Sequence, residues 1–470
     1  MKVELLDSTI REGEQSPNVS FTVEQKIEIV KLLDEFGVEF IELGHPAVSP
    51  DVREAVERLS RLDTRANKMV HGRALAKDID DAANMNVPWV GIFFGTSPLS
   101  LKHKFQITPQ KALVRISEAI RYAKDKGLKV RFTAEDATRT DTDFLVEVAS
   151  VAEEAGADRF SIADTVGTTH PASLRKLVNA VATAVTIPLH VHCHNDYGLA
   201  TANVLAGLEG GARLADITVN GLGERSGIAA LSEVAVTLKM LYKVDNPWNL
   251  ELLPKLSRVV ERASGIFNSE NRPIVGLYAF THKAGLHTRA VLKDPRTYEA
   301  FPPELIKRHR EITIDKYTGR DAVRSRLETM GVNPNDDQLN EIIEIIKSQP
   351  LKRHFSDMDL LDIVDDVLGL EMRARVPIDV EAIVNMELNS ALYTTRVTRR
   401  LMGYPYVQDV YEITGEFDIV AHIKTKSIAE LNEFIEELRV SEGVERTTTR
   451  LILKGYSRDF EHDNDAPENG

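Results

Sequence analysis

His192 and His194 stand two apart in the run LHVHCHND (189–196), and His190 extends the row. On a strand, alternate residues point to one face, so the imidazoles converge. Two converging imidazoles suit a metal ion. The third ligand must be a carboxylate or another histidine, because the chain holds one cysteine, Cys193. Two histidines and one carboxylate with open positions suit a divalent cation that grips an oxygen-rich substrate. The competing reading is a hydrogen-bonded polar strand end. The segment DSTIREGEQ (7–15) follows an apolar run. Glu12 offers the missing carboxylate, and Arg11 can neutralise an oxyanion or grip a carboxylate bidentately. A salt-bridged loop is the alternative there.

The run KVRFTAED (129–136) sets Arg131, Thr133 and Glu135 on one face. An arginine, a hydroxyl and a carboxylate suit recognition of a dicarboxylate, although a buried ion pair would use the same residues. Asp164-Thr165 closes RFSIADT (159–165), where Thr165 can bond a substrate carboxylate. His71 closes RANKMVHG (65–72), and a lone histidine is more often structural. The loop GLGERSG (221–227) is glycine-rich, a short pattern of the kind that takes phosphate in barrels.

These residues need elements to hold them. Five of the runs just described, VELLDSTI (3–10) among them, join FIELG (40–44), WVGIFFG (89–95) and ADITVNG (215–221) to make eight strands. Amphipathic stretches such as VEQKIEIVKLLDEFG (23–37) and DFLVEVASVAEEAG (143–156) separate them. Eight strand–helix alternations predict an α/β (β/α)8 TIM barrel, with the polar residues at the C-terminal ends of its strands. An open doubly wound sheet would place a glycine-rich phosphate turn after an early strand, and none is there. Residues 243–370 read as mostly helical, broken at Pro254, NRP (271–273) and PP (302–303). Residues 371–456 read β-α-β-β-α-β, a ferredoxin-like α+β unit whose middle strands split at Gly415. The expected domains are a catalytic barrel (1–260), helical subdomains (261–370), the ferredoxin-like domain (371–456) and a disordered acidic tail (457–470).

The 470 residues are 43% hydrophobic and 28% charged, which excludes a disordered chain. A net charge of −14 argues against nucleic acid and anionic membrane as partners. One cysteine excludes an intrachain disulfide. The segment MKVELLDSTIREGEQ carries no apolar signal stretch, and no run of 18 apolar residues occurs. A cytoplasmic enzyme is the expectation.

Taken together, DSTIREGEQ (7–15), FTAEDATRTD (132–141), ADTVG (163–167), HVHCHNDYGLA (190–200), VNGLGERSG (219–227) and THKAGLH (281–287) resemble one family. It is the Claisen-condensing acyltransferases of the isopropylmalate synthase and homocitrate synthase group. The resemblance covers about residues 1–330 and is most similar to the homocitrate-forming branch. It implies acetyl-CoA and 2-oxoglutarate as substrates, in lysine biosynthesis. It implies a divalent metal, magnesium or manganese ahead of zinc or cobalt, held by Glu12, His192 and His194. Arg11 would stabilise the ketone oxygen and the enolate, and Thr165 would hold the C1 carboxylate. Glu135, His287 and Tyr298 would transfer the acetyl proton, the last two reaching in from the partner subunit of a homodimer or larger assembly. Asn220 would lie near the metal.

Arg131, Thr133 and His71 would receive the second carboxylate of 2-oxoglutarate. Gly91 departs from the pattern, since the homocitrate-forming branch usually carries an acid there and the isopropylmalate-forming branch a histidine. Isopropylmalate synthesis from 2-oxoisovalerate, or dual specificity, is therefore the alternative. A hydroxymethylglutaryl-CoA lyase would need a loop cysteine, and Cys193 lies inside a strand. The C-terminal unit resembles the amino-acid-sensing domain of small transcription regulators, which makes a non-enzymatic regulator the remaining reading. In an enzyme it implies lysine as feedback inhibitor, at that domain or in the barrel.

Overall fold

A computed structural model describes residues 2–283, 285–349, 355, 357–370, 380–389, 394–404, 406–425, 428–441 and 443–452. The expected tail at 457–470 lies outside them. The chain divides into two compact units, Met1–His282 with Leu286–Ile312, and Lys283–Gly285 with Thr313–Gly470.

In the first unit, β1 (Glu4–Asp7), β2 (Phe40–Glu42), β3 (Asn67–Arg73), β4 (Trp89–Gly95), β5 (Lys129–Glu135), β6 (Arg159–Asp164), β7 (Leu189–Cys193) and β8 (Leu214–Ile217) close a parallel barrel. The last strand pairs back onto the first, Leu5 against Ala215. Between and after them run α1 (Val23–Phe36), α2 (Pro50–Ser60), α3 (Ala76–Ala83), α4 (Pro109–Asp125), α5 (Thr142–Glu154), α6 (Pro171–Ala184), α7 (Ala200–Glu209) and α8 (Leu231–Met240). The expected (β/α)8 architecture is what forms.

Local chemistry sets the helix ends. Thr22 and Gln25 make a reciprocal capping box at the start of α1, and Gly37 ends it in the left-handed region. Proline opens α2, α4 and α6, where a missing N–H costs nothing. The helix coat packs closely on the strand that matters most. A Cβ on Gly207 of α7 would lie 2.6 Å from Val191 Cγ1, so only glycine lets α7 settle against β7.

The barrel interior is layered. Leu6, Phe40, Met69, Trp89 and Leu214 fill its floor with apolar side chains. Alternation then fixes what stands two residues further along each strand: Glu42 above Phe40, His71 above Met69, Gly91 above Trp89 and Asp216 above Leu214. The pleat therefore changes the lumen from apolar to ionic in one step.

Beyond the barrel, α9 (Leu253–Ser264) and α10 (Gly285–Lys293) follow, and β9 (Thr281–His282) pairs in parallel with β10 (Glu311–Ile312). Two-residue strands carry no periodicity, so a helical reading of this stretch could not contain them.

In the second unit, α11 (Arg320–Thr329), α12 (Asp336–Ser348) and α13 (Asp357–Leu368) precede a four-stranded sheet. The sheet module runs β11 (Val380–Leu388), α14 (Thr394–Leu401), β12 (Val407–Glu412), β13 (Ile419–Thr425), α15 (Ile428–Arg439) and β14 (Val444–Leu451). Its antiparallel order is β12-β13-β11-β14, the ferredoxin-like arrangement. Alternate residues Ala382, Val384 and Met386 of β11 pack with Ile419, Ala421 and Ile423 of β13 and with Phe434 of α15. Gly415, at φ 133°, sits in the β12–β13 turn where the sequence splits. Among the described residues no helix is long and apolar enough to cross a membrane.

Candidate active site

The site is built at the C-terminal ends of β1, β5, β6 and β7. His192 lies on β7; the strand stops at Cys193, so His194 stands just past it, bridged to Ile228. Its Nε2 still lies 3.3 Å from His192 Nε2 and 3.9 Å from Glu12 Oε1. One ligand atom from each of Glu12, His192 and His194 lies within 4.8 Å of the others, and all three side chains are buried. Nδ1 of His192 lies 3.3 Å from Asp216 Oδ2, which orients the ring and leaves Nε2 for a cation. His194 Nδ1 is buried without a hydrogen-bond partner. Two imidazoles and one carboxylate fit a divalent ion.

Burial and neighbouring charge shift two of these groups, Glu12 and His194. Burial would raise the Glu12 carboxyl, but Arg11, with His192 and His194 beside it, brings it down to about 2. Burial pushes His194 down to about 4, so it stays neutral near neutrality. The glycine-rich loop after β8 contributes too. Its backbone folds back until Glu224 N donates to Glu12 Oε1 at 3.3 Å and Gly223 N to Ser16 Oγ at 2.9 Å. A Cβ on Gly227 would lie 1.8 Å from the Gly221 carbonyl oxygen, which is why this loop needs glycine. The Glu224 amide of this loop thus serves the Glu12 carboxylate.

Beneath the histidines lies a network that sequence reasoning missed. Glu42 accepts from Ser8 Oγ at 2.7 Å, Arg11 Nε at 2.7 Å and Arg131 Nη2 at 2.9 Å, and pairs with His71 Nδ1 at 2.9 Å. Burial alone would raise its carboxyl; Arg11, then His71 and Arg131, hold it well below the ordinary range. Asp216 takes Arg131 Nη1 at 3.2 Å as well as the ring of His192. The signal for both acids was Arg131 itself: an arginine facing a barrel lumen demands carboxylates, and the inward positions of β2 and β8 supply them. Gly91 belongs to the same arrangement. A Cβ there would lie 2.8 Å from Arg131 Nη2, so the guanidinium occupies the room an acidic side chain would need.

Above this network opens a cavity of about 200 Å³. Arg11, His71, Arg131, Thr133, Glu135 and Thr165 line it together with the three candidate metal ligands. Thr133 Oγ1 is buried with no hydrogen-bond partner, an unspent donor on the wall. Thr165 Oγ1 accepts from Asp136 N at 2.8 Å. His287 and Tyr298 do not line the cavity; they stack on each other with ring centroids 4.0 Å apart. The Asn220 amide is anchored to α9, donating to Ser257 O and accepting from Ser257 Oγ. Cys193 is fully buried, and burial pushes its thiol well above the ordinary range, which is unfit for a reactive loop cysteine.

Comparison with known proteins agrees with this geometry. A family model described as HMGL-like matches residues 2–260. A homocitrate synthase post-HMGL domain-like model matches 274–353, and an Lrp/AsnC ligand binding domain model matches 381–461. Hydroxymethylglutaryl-CoA lyases of Pseudomonas aeruginosa and Brucella melitensis share the barrel fold, at TM-scores of 0.52 and 0.51 and identities of 23% and 21%. These likenesses span 57% and 56% of this chain and 95% and 99% of theirs. Fold and site together define an HMGL-like barrel enzyme, a class generally dependent on a divalent cation. A homocitrate synthase of Saccharolobus islandicus is 47% identical over 97% of this chain and 99% of its own length. One of Sulfurisphaera tokodaii is 46% identical over 97% and 100%. The chain belongs to the homocitrate synthase family of condensing acyltransferases.

The buried charges predict a pH effect on stability. Burial first, then the charge of Arg11, lowers His71 from 6.5 to about 4. As pH falls below 6.5 the unfolded chain takes up a proton that folded His71 refuses. The stability tied to this group is therefore whole above pH 6.5 and lost as pH falls toward 4, at about 1.4 kcal/mol per pH unit. In chelator-treated protein, His71→Asn should flatten the dependence of unfolding free energy on pH between 6 and 5 by about that slope. An unchanged slope would contradict the assignment.

Proposed function

We propose that this chain condenses acetyl-CoA with 2-oxoglutarate and hydrolyses the product thioester, releasing homocitrate and CoA in lysine biosynthesis. The observation that carries this reading is a Glu12–His192–His194 ligand set opening onto a cavity walled by donors and cations. Glu12, His192 and His194 would hold a magnesium or manganese ion, which when bound would supply Lewis-acid polarisation of the oxo acid's ketone.

The chain's own residues divide the remaining work. Arg11 faces the ketone oxygen and offsets charge as it develops. Thr165 holds the C1 carboxylate. Glu135 removes a proton from the acetyl methyl, with His287 and Tyr298 completing the proton-transfer group. The resulting carbon attacks the ketone carbon, the ketone oxygen gains a proton, and water then cleaves the thioester. The second carboxylate of 2-oxoglutarate meets the free hydroxyl of Thr133 beside Arg131, on the wall that His71 also lines. An isopropyl tail would leave that buried hydroxyl unpaired, which disfavours 2-oxoisovalerate.

Turnover followed by CoA release tests this reading. Chelation should abolish it and added Mg²⁺ or Mn²⁺ restore it. kcat/KM should be highest for 2-oxoglutarate, with 2-oxoisovalerate lower by on the order of 10²-fold. Full activity in metal-free protein, or a preference for 2-oxoisovalerate, would contradict it. The match to an amino-acid-binding domain supports lysine as inhibitor, and the same assay with lysine present should show lower turnover.

His287 and Tyr298 do not line the cavity of their own chain, which supports their delivery from a partner subunit. Mixing inactive His287→Ala with inactive Glu12→Ala should regenerate activity, because a heterodimer holds one complete site. No recovery, with subunit exchange confirmed, would place His287 in its own subunit's site.

A further inference from the structure

Glu135 is gripped by a side chain that neither the sequence motifs nor the proposed roles include. Lys104 Nζ lies 2.8 Å from each of its two carboxylate oxygens. Lys104 belongs to Ser100–Phe105, a π-helix of six residues between β4 and α4. Such turns are rare and tend to sit at functional sites.

Three features fix this turn against the barrel. Ser97 Oγ accepts from Ser100 N at 3.2 Å at its start. The Phe105 ring stacks on Phe94 with centroids 4.2 Å apart and an interplanar angle of 11°. A Cβ on Gly95, the last residue of β4, would lie 2.8 Å from Ser100 Cβ, so the turn needs glycine at that strand end. The ammonium itself stands 5.8 Å from the Phe93 ring centroid and 5.5 Å from that of Phe105. Phe93 lines the active-site cavity with Glu135.

The Lys104 side chain is 48% exposed and that of Glu135 22%, and ion pairs this open to water add little to stability. Holding the fold together does not explain so specific a placement. We propose that Lys104 is a positioning residue: it fixes the plane of the Glu135 carboxylate so that this base meets the acetyl methyl proton in one orientation. The inference rests on the reading of Glu135 as the base.

Steady-state kinetics of the metal-loaded enzyme tests it with Lys104→Met, Lys104→Arg, Glu135→Gln and the double variant Lys104→Met/Glu135→Gln. Lys104→Met should lower kcat on the order of 10–100-fold, leaving the KM for 2-oxoglutarate and the unfolding midpoint unchanged. Lys104→Arg should recover most of that loss. Added to Glu135→Gln, Lys104→Met should cost nothing further, because it acts only through Glu135. Gly95→Ala, which displaces the turn while keeping the lysine, should lower kcat in the same direction. A wild-type kcat in Lys104→Met, or an equal fall in the Glu135→Gln background, would overturn the proposal. Glu135→Gln with wild-type kcat would instead remove Glu135 as the base, and the proposal with it.

Discussion

Two buried arginines need a counter-charge inside the barrel, and Glu42 is where most of it resides. Arg131 is 1% exposed, and Arg11 is 9% exposed at its side chain. Desolvating a guanidinium is unfavourable unless an anion sits against it with its lone pairs used. Glu42 meets both arginines and His71, and adds a bond from Ser8. Asp216 completes the balance on the far side of Arg131 and ties it to the imidazole of His192. One connected set of charges therefore runs from the cavity wall to the candidate metal ligands.

That continuity shapes the chemistry on offer. His71, with Nδ1 spent on Glu42 and burial disfavouring its charge, presents an uncharged ring to the cavity. Its ring stacks on Phe93 with centroids 4.8 Å apart, and the Lys104 ammonium stands over the same phenylalanine. The cavity wall at His71 and the grip on Glu135 thus share one aromatic plate. Gly91 is the space this arrangement requires, because Arg131 reaches Glu42 across the position where a side chain would stand. The departure at residue 91 is a packing consequence of how Arg131 is held.

Much of this was legible in the sequence. Short apolar runs with polar ends placed each barrel strand to within a few residues, and the split at Gly415 placed the β12–β13 turn. Glu12, His192 and His194 were readable as a candidate ligand set because metal ligation needs few residue types and because alternation fixes the facing of the two histidines. Glu42 and Asp216 were hidden because each reads locally as an acid in a short apolar strand. Only the closed barrel, which brings β2, β5 and β8 round one lumen, shows that they serve Arg131. Lys104 was hidden because a π-helix has no sequence period. His287 and Tyr298 entered only through family resemblance, and within one chain they meet each other and not the cavity.

The dependence on Glu42 is open to one direct measurement, the urea unfolding of metal-free Glu42→Gln beside the unaltered protein. The substitution keeps shape and removes the charge that both arginines face. The barrel transition should lose about 3–5 kcal/mol, the cost of leaving buried charge uncompensated. A loss below about 0.5 kcal/mol would contradict the account, because the arginines would then be balanced without Glu42.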